Sequence, residues 1–168
     1  MNADIKRFLT IEQGLIPGIF NFFINGGIAW WLNKQLETMP LWGETSIAVD
    51  TLATAFLLPL ITCLIVTPII SKKVNSGSIT LPIPKNAKIP ASSSFRRGLI
   101  AGAIGVGLFA MPVLLVWNFI GPQELTLHNF LWFKAGFAAV LGALISALIA
   151  WWALIAASQQ PPEELKSA

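Results

Sequence analysis

Four long apolar runs, at residues 14–32, 49–71, 98–120 and 131–157, set the terms on which this chain folds. A helix rises about 1.5 Å per residue, so about 20 residues cross a hydrocarbon core of about 30 Å, and each run is of that order. Lipid offers the backbone no hydrogen bonds, so each run must satisfy its own N–H and C=O groups as a helix. The predicted fold is an all-α integral membrane protein: four transmembrane helices, arranged as two hairpins, in a single membrane domain over residues 1–168. No strand is expected. Composition excludes an ordinary soluble domain, because 11% of residues are charged where about 25% is usual. The first run follows Lys6 and Arg7 as a signal peptide would. It is too long for an h-region, however, and Trp30, Trp31 and Leu32 stand where cleavage needs small residues, so an uncleaved anchor is predicted.

Basic residues stay on the cytoplasmic side during insertion and so orient the helices. Lys6, Arg7, Lys72, Lys73, Lys85, Lys88, Arg96, Arg97 and Lys166 fall on one side, and Lys34 and Lys134 on the other. Both termini and the basic loop at 72–97 are therefore expected to be cytoplasmic. Trp30, Trp31, Trp42, Trp117 and Trp132 then gather near outer helix ends, and Trp151 and Trp152 near an inner one, as interfacial tryptophans do. Loop 72–97 lacks acidic residues and carries Pro82, Pro84, Pro90 and Ser92, Ser93 and Ser94, which predicts extended, irregular chain. Besides fixing topology, its charges suit membrane lipids as a partner, since anionic headgroups contribute about 1 kcal/mol per nearby basic residue. Nucleic acid is not expected despite a pI near 9.3, because no aromatic platform or folded binding module accompanies the charges. Size and hydropathy give the chain the general look of a small bacterial inner-membrane protein.

An internal repeat is visible. Gly14-Leu15-Ile16-Pro17-Gly18 recurs as Gly98-Leu99-Ile100-Ala101-Gly102, and Leu60–Ile65 recurs as Leu144–Ile149, both at an offset of 84 residues. An even number of spans per half gives both halves the same topology, and hence a parallel repeat about an axis along the membrane normal. Gly14 with Gly18, and Gly98 with Gly102, each clear one helix face for close packing. Packing within the chain is the primary expectation, and a homo-oligomer or larger membrane complex the further one.

The same offset makes Asp50 and Lys134 equivalent. A charge deep in hydrocarbon costs at least about 2.5–3.5 kcal/mol, so such residues pair or line a wet cavity. Both stand close to outer span ends, and the expectation is a shallow position, with Lys134 snorkelling toward headgroups. Asn21 and Asn25 share a stripe with Gly14 and Gly18, and amides in lipid seek partners. Thr51, Thr54, Thr62 and Thr67 of the second span are the expected ones. Pro59, Pro68 and Pro112 are candidate kinks. The lone Cys63 reads as a small buried residue.

Reactive chemistry is scarce. The single His128 has no companion for zinc or haem and no neighbouring nucleophile in sequence. No catalytic, metal or cofactor residue is nominated. The expected function is a non-catalytic structural or interaction component of the membrane or of a membrane complex. The alternative is a small-solute or ion transporter acting as an oligomer, carried by the repeat, the prolines, Asn21, Asn25 and the Asp50/Lys134 pair. A membrane enzyme stands third.

Overall fold

A computed structural model of the protein describes residues 3–79 and 93–158. Four helices are long and apolar enough to cross a membrane: α1 (Ala3–Asn33), α2 (Ile47–Asn75), α3 (Ser94–Ile120) and α4 (Leu127–Ser158). All four outrun the apolar runs that announce them, because capping rather than hydropathy marks several of their ends. Ser46 Oγ accepts the Val49 N–H at 3.3 Å at the start of α2, and Ser93 Oγ accepts the Arg96 N–H at 3.3 Å at the start of α3. Each such cap satisfies a donor the first turn would otherwise leave open. α1 begins well before its apolar run, with Ile5 and Phe8 turned inward.

Two helices widen locally to π geometry, at Phe8–Leu15 in α1 and Val106–Ala110 in α3. Each widened stretch runs up to a proline two residues on, Pro17 and Pro112. Proline lacks an N–H and its ring crowds the carbonyl four residues back, so a looser turn relieves the clash. Pro59 and Pro68 are carried inside α2 without such a turn.

At one end, β1 (Thr38–Pro40) and β2 (Glu124–Thr126) pair antiparallel, with Met39 opposite Leu125. This ribbon departs from the strand-free expectation. The two connecting loops meet at this end, and their open backbone groups pair there. Met39 and Leu41 beneath it are 1% exposed and pack with Ala29, Ile47, Leu114 and Phe130. At the opposite end Phe8, Ile70, Ala150, Ala153 and Leu154 gather the start of α1 and the ends of α2 and α4.

Helix neighbours are only partly chain neighbours. α1 packs on α4, α4 also on α2, and α2 also on α3, while α1 and α2 barely touch. The core therefore runs along the α2–α4 contact, through Ala55, Cys63, Leu141, Ile145 and Ile149.

Of the basic loop at 72–97, Lys72 and Lys73 lie in the last turn of α2 and Arg96 and Arg97 in the first turn of α3. Lys85 and Lys88, its prolines, and Lys166 fall outside the described residues.

Candidate functional site

The glycines decide which helices come close. A Cβ on Gly18 would lie 3.1 Å from the Ala139 carbonyl oxygen and 3.1 Å from Ala143 Cβ, and one on Gly14 3.5 Å from the Ala143 carbonyl oxygen. α1 is thus pressed onto α4. On the far side, a Cβ on Gly98 would lie 2.8 Å from Leu60 Cδ1 and one on Gly102 2.9 Å from the Phe56 carbonyl oxygen, pressing α3 onto α2. All four glycines face a neighbouring helix of the same chain.

With α1 held to α4, a gap is left between α1 and α2. It forms a cleft of about 570 Å³, walled by residues such as Phe20, Ile24, Ile28, Leu57 and Ile61. Its polar lining is Asn21 and Asn25 from α1, Asp50, Thr54 and Thr62 from α2, and Lys134 and Ser146 from α4. Ile24 and Ile61 are 54% and 52% exposed, so the apolar rims open sideways, toward lipid in a membrane.

Asp50 and Lys134 meet here. Lys134 Nζ donates to Asp50 Oδ2 at 2.5 Å, to the Asp50 carbonyl oxygen at 3.5 Å, and to Thr54 Oγ1. Thr54 Oγ1 in turn donates to the Asp50 carbonyl oxygen at 2.7 Å. The side chains are 6% exposed for Lys134 and 27% for Asp50. Lys134 therefore does not snorkel out to the headgroups: α2 packs on α4, and Asp50 and Thr54, one turn apart, present oxygens to the ammonium. In a low-dielectric setting an ion is held best when paired and fully hydrogen-bonded, and all three ammonium protons have an acceptor.

Asn21 and Asn25 behave differently from expectation. Asn21 Nδ2 donates to the Pro17 carbonyl oxygen at 2.9 Å, and Asn25 Nδ2 to the Asn21 carbonyl oxygen at 3.1 Å and Asn21 Oδ1 at 3.2 Å. Among the described residues neither amide reaches a threonine of α2, because α1 and α2 stand apart. Asn21 lies instead over Gly142, where an added Cβ would come within 2.5 Å of its Nδ2.

Two residues have a place here that the sequence did not assign them. The Ser146 hydroxyl, in a residue 1% exposed, has no hydrogen-bond partner among the described residues. In sequence it is one small residue among alanines, and only the position of the cleft gives it meaning. Arg97, grouped by sequence with the loop charges that meet headgroups, is 3% exposed. Its Nη1 donates to the Trp152 carbonyl oxygen at 3.3 Å and its Nη2 to Ser94 Oγ at 3.5 Å. It is a tie between α3 and α4, because the helix starts before the apolar run does.

His128 Nε2 accepts the Trp132 indole N–H at 3.1 Å. Among the described residues no three His, Cys, Asp or Glu side chains group as metal ligands. Cys63 is buried, its Sγ donating to the Ser94 carbonyl oxygen at 3.3 Å. Compared with protein families, curated proteins and solved structures, the chain matches none.

Proposed function

We propose that this chain is a non-catalytic membrane component that acts through contacts made inside the bilayer, with the α1–α2 cleft as its contact site. The observation that carries the reading is the sideways opening of a cleft whose floor holds Asn21, Asn25, Asp50, Thr54, Lys134 and Ser146. Polar groups facing bare lipid are costly, so a cleft of this kind favours an occupant or a covering partner. The proposed setting is a bacterial plasma membrane, with both termini and the 72–97 loop cytoplasmic and basic residues of that loop against anionic headgroups.

The proposed architecture is a parallel repeat of two hairpins, α1–α2 and α3–α4. Exchanging the halves converts the α1–α4 contact into α3–α2 and leaves α2–α4 as itself, which matches the packing observed. Asp50 and Lys134, 84 residues apart, meet across that exchange. A solute or ion transporter is the second reading, favoured by the charge pair in the cleft: a second copy laid over the opening would close it into a path.

A photoreactive benzophenone side chain at Ile61, on the cleft rim, tests the first reading in native membranes. Capture of a discrete, saturable adduct at Ile61 but not at Phe119, which is 79% exposed on α3, is expected. The same diffuse labelling at both positions contradicts the cleft as a contact site. Solute flux in proteoliposomes that vanishes in Asp50→Asn would favour transport instead.

A further inference from the structure

We propose that the α1–α2 cleft binds a neutral single-chain amphiphile dissolved in the bilayer, its hydroxyl- or amide-bearing head on Asp50 and its chain between the helix walls. The inference rests on the cleft being the contact site and names what occupies it. Access comes from the membrane, because the rims at Ile24 and Ile61 are apolar and exposed.

Size selects a chain over a helix. The lining on α2 runs from Asp50 to Val66, about 24 Å at 1.5 Å per residue. A transmembrane helix about 10 Å across would displace roughly 2,000 Å³ over that length. The cleft offers about 570 Å³, which is the scale of a small-molecule site.

Charge selects the head. All three Lys134 ammonium protons are engaged, by Asp50 Oδ2, the Asp50 carbonyl and Thr54. The pair is neutral as a unit, and of its two members, both of which line the cleft, the Asp50 side chain is the more open, 27% exposed against 6% for Lys134. An anionic head would meet this carboxylate directly. A cationic head would compete with Lys134 and leave a net positive charge at the edge of the hydrocarbon, which is costly. A neutral donor adds a hydrogen bond to the carboxylate and changes no charge. Farther down the cleft, the Ser146 hydroxyl lacks a partner among the described residues. It stands about 18 Å along α4 from Lys134, twelve residues on, and would meet a second polar group on the chain.

The test uses the full chain in phosphatidylcholine nanodiscs and a hexadecanol probe carrying a mid-chain diazirine, with adducts mapped by mass spectrometry. Labelling of cleft residues on α1 and α2 is expected, suppressed by excess hexadecanol about ten-fold more than by palmitate, hexadecyltrimethylammonium or hexadecane, the scale of one charge-assisted hydrogen bond. Ala53→Phe places a ring in the cleft wall without removing a polar partner. It should abolish cleft labelling while the melting temperature holds. Equal suppression by all four competitors would overturn the neutral-head assignment while leaving the cleft as a binding site. Absence of cleft adducts in the unsubstituted protein, or labelling indifferent to Ala53→Phe, would overturn both the ligand class and the cleft reading beneath it.

Discussion

On one side of the α2–α4 contact, α1 lies on α4 through Gly14 and Gly18 and leaves a cleft toward α2. On the other, α3 lies on α2 through Gly98 and Gly102, and the space toward α4 is packed with rings. Trp117 and Phe133 stand 4.4 Å apart between centroids, Phe133 and Phe137 5.9 Å, and Phe109 and Trp152 pack against the central core. At the 84-residue offset, Phe109, Trp117, Phe133, Phe137 and Trp152 correspond to Asn25, Asn33, Val49, Ala53 and Pro68. Of these counterparts Asn25 and Ala53 line the open side, and aromatic rings stand at the matching places on the closed side. Glycine spacing thus brings one helix onto another, and side-chain volume then decides whether the remaining gap is core or cleft.

The charge pair joins the two sides, and breaking it should have the largest effect. Asp50→Ala leaves Lys134 buried without its carboxylate and should cost about 3 kcal/mol. Lys134→Ala should cost less, about 1–2 kcal/mol, because Asp50 reaches the cleft and keeps some solvation. The double variant should lose less than the two singles together. Unfolding titrations in detergent measure all three, and strict additivity would break the pairing that links the halves.

Next come the close approaches. Gly102→Ala drives a methyl group against the Phe56 backbone oxygen at 2.9 Å and should cost about 2 kcal/mol in the same assay. Gly27→Ala, with nothing within 4 Å of the added carbon, should cost nothing and gain slightly in helix propensity. Equal effects at the two positions would contradict glycine-set packing.

Exchange of side-chain volume sharpens the contrast. Phe137→Ala, on the filled side, should destabilise by about 2 kcal/mol, below the usual range for a fully buried phenylalanine because the ring is only partly buried. Ala53→Phe, its counterpart on the open side, should stay within about 0.5 kcal/mol. Ser146→Ala should be the mildest, neutral or stabilising by up to about 1 kcal/mol, since it removes a buried hydroxyl that has no partner among the described residues. A loss larger than that would mean the hydroxyl is bonded in the membrane.

Much of the fold was legible because lipid leaves so few options. Four apolar runs of spanning length imply four helices, whatever their detailed packing. The glycine pairs and the 84-residue spacing of Asp50 and Lys134 were also readable. The depth of Lys134 was not, since snorkelling and pairing begin from the same sequence and differ only in whether an acceptor stands opposite. Asn21 and Asn25 pointed to a polar stripe but not to its partners: their bonds to the second span require α1 beside α2, and helix order is invisible in a hydropathy pattern. The ribbon at Thr38–Pro40 and Glu124–Thr126 carries no strand-like run, because end-to-end proximity of two loops creates it. Ser146 and Arg97 changed meaning for the same reason, each defined by a neighbour distant in sequence.

The two sides of the α2–α4 contact thus differ, with an open α1–α2 cleft on one and rings between α3 and α4 on the other. Nitroxide labels on Ala53→Cys and Phe137→Cys, each in a Cys63→Ala background in nanodiscs, test this difference most directly. A mobile label in ready collision with lipid-dissolved oxygen is expected at position 53, and an immobilised, oxygen-shielded one at position 137. Matching mobility and oxygen accessibility at the two positions would contradict it.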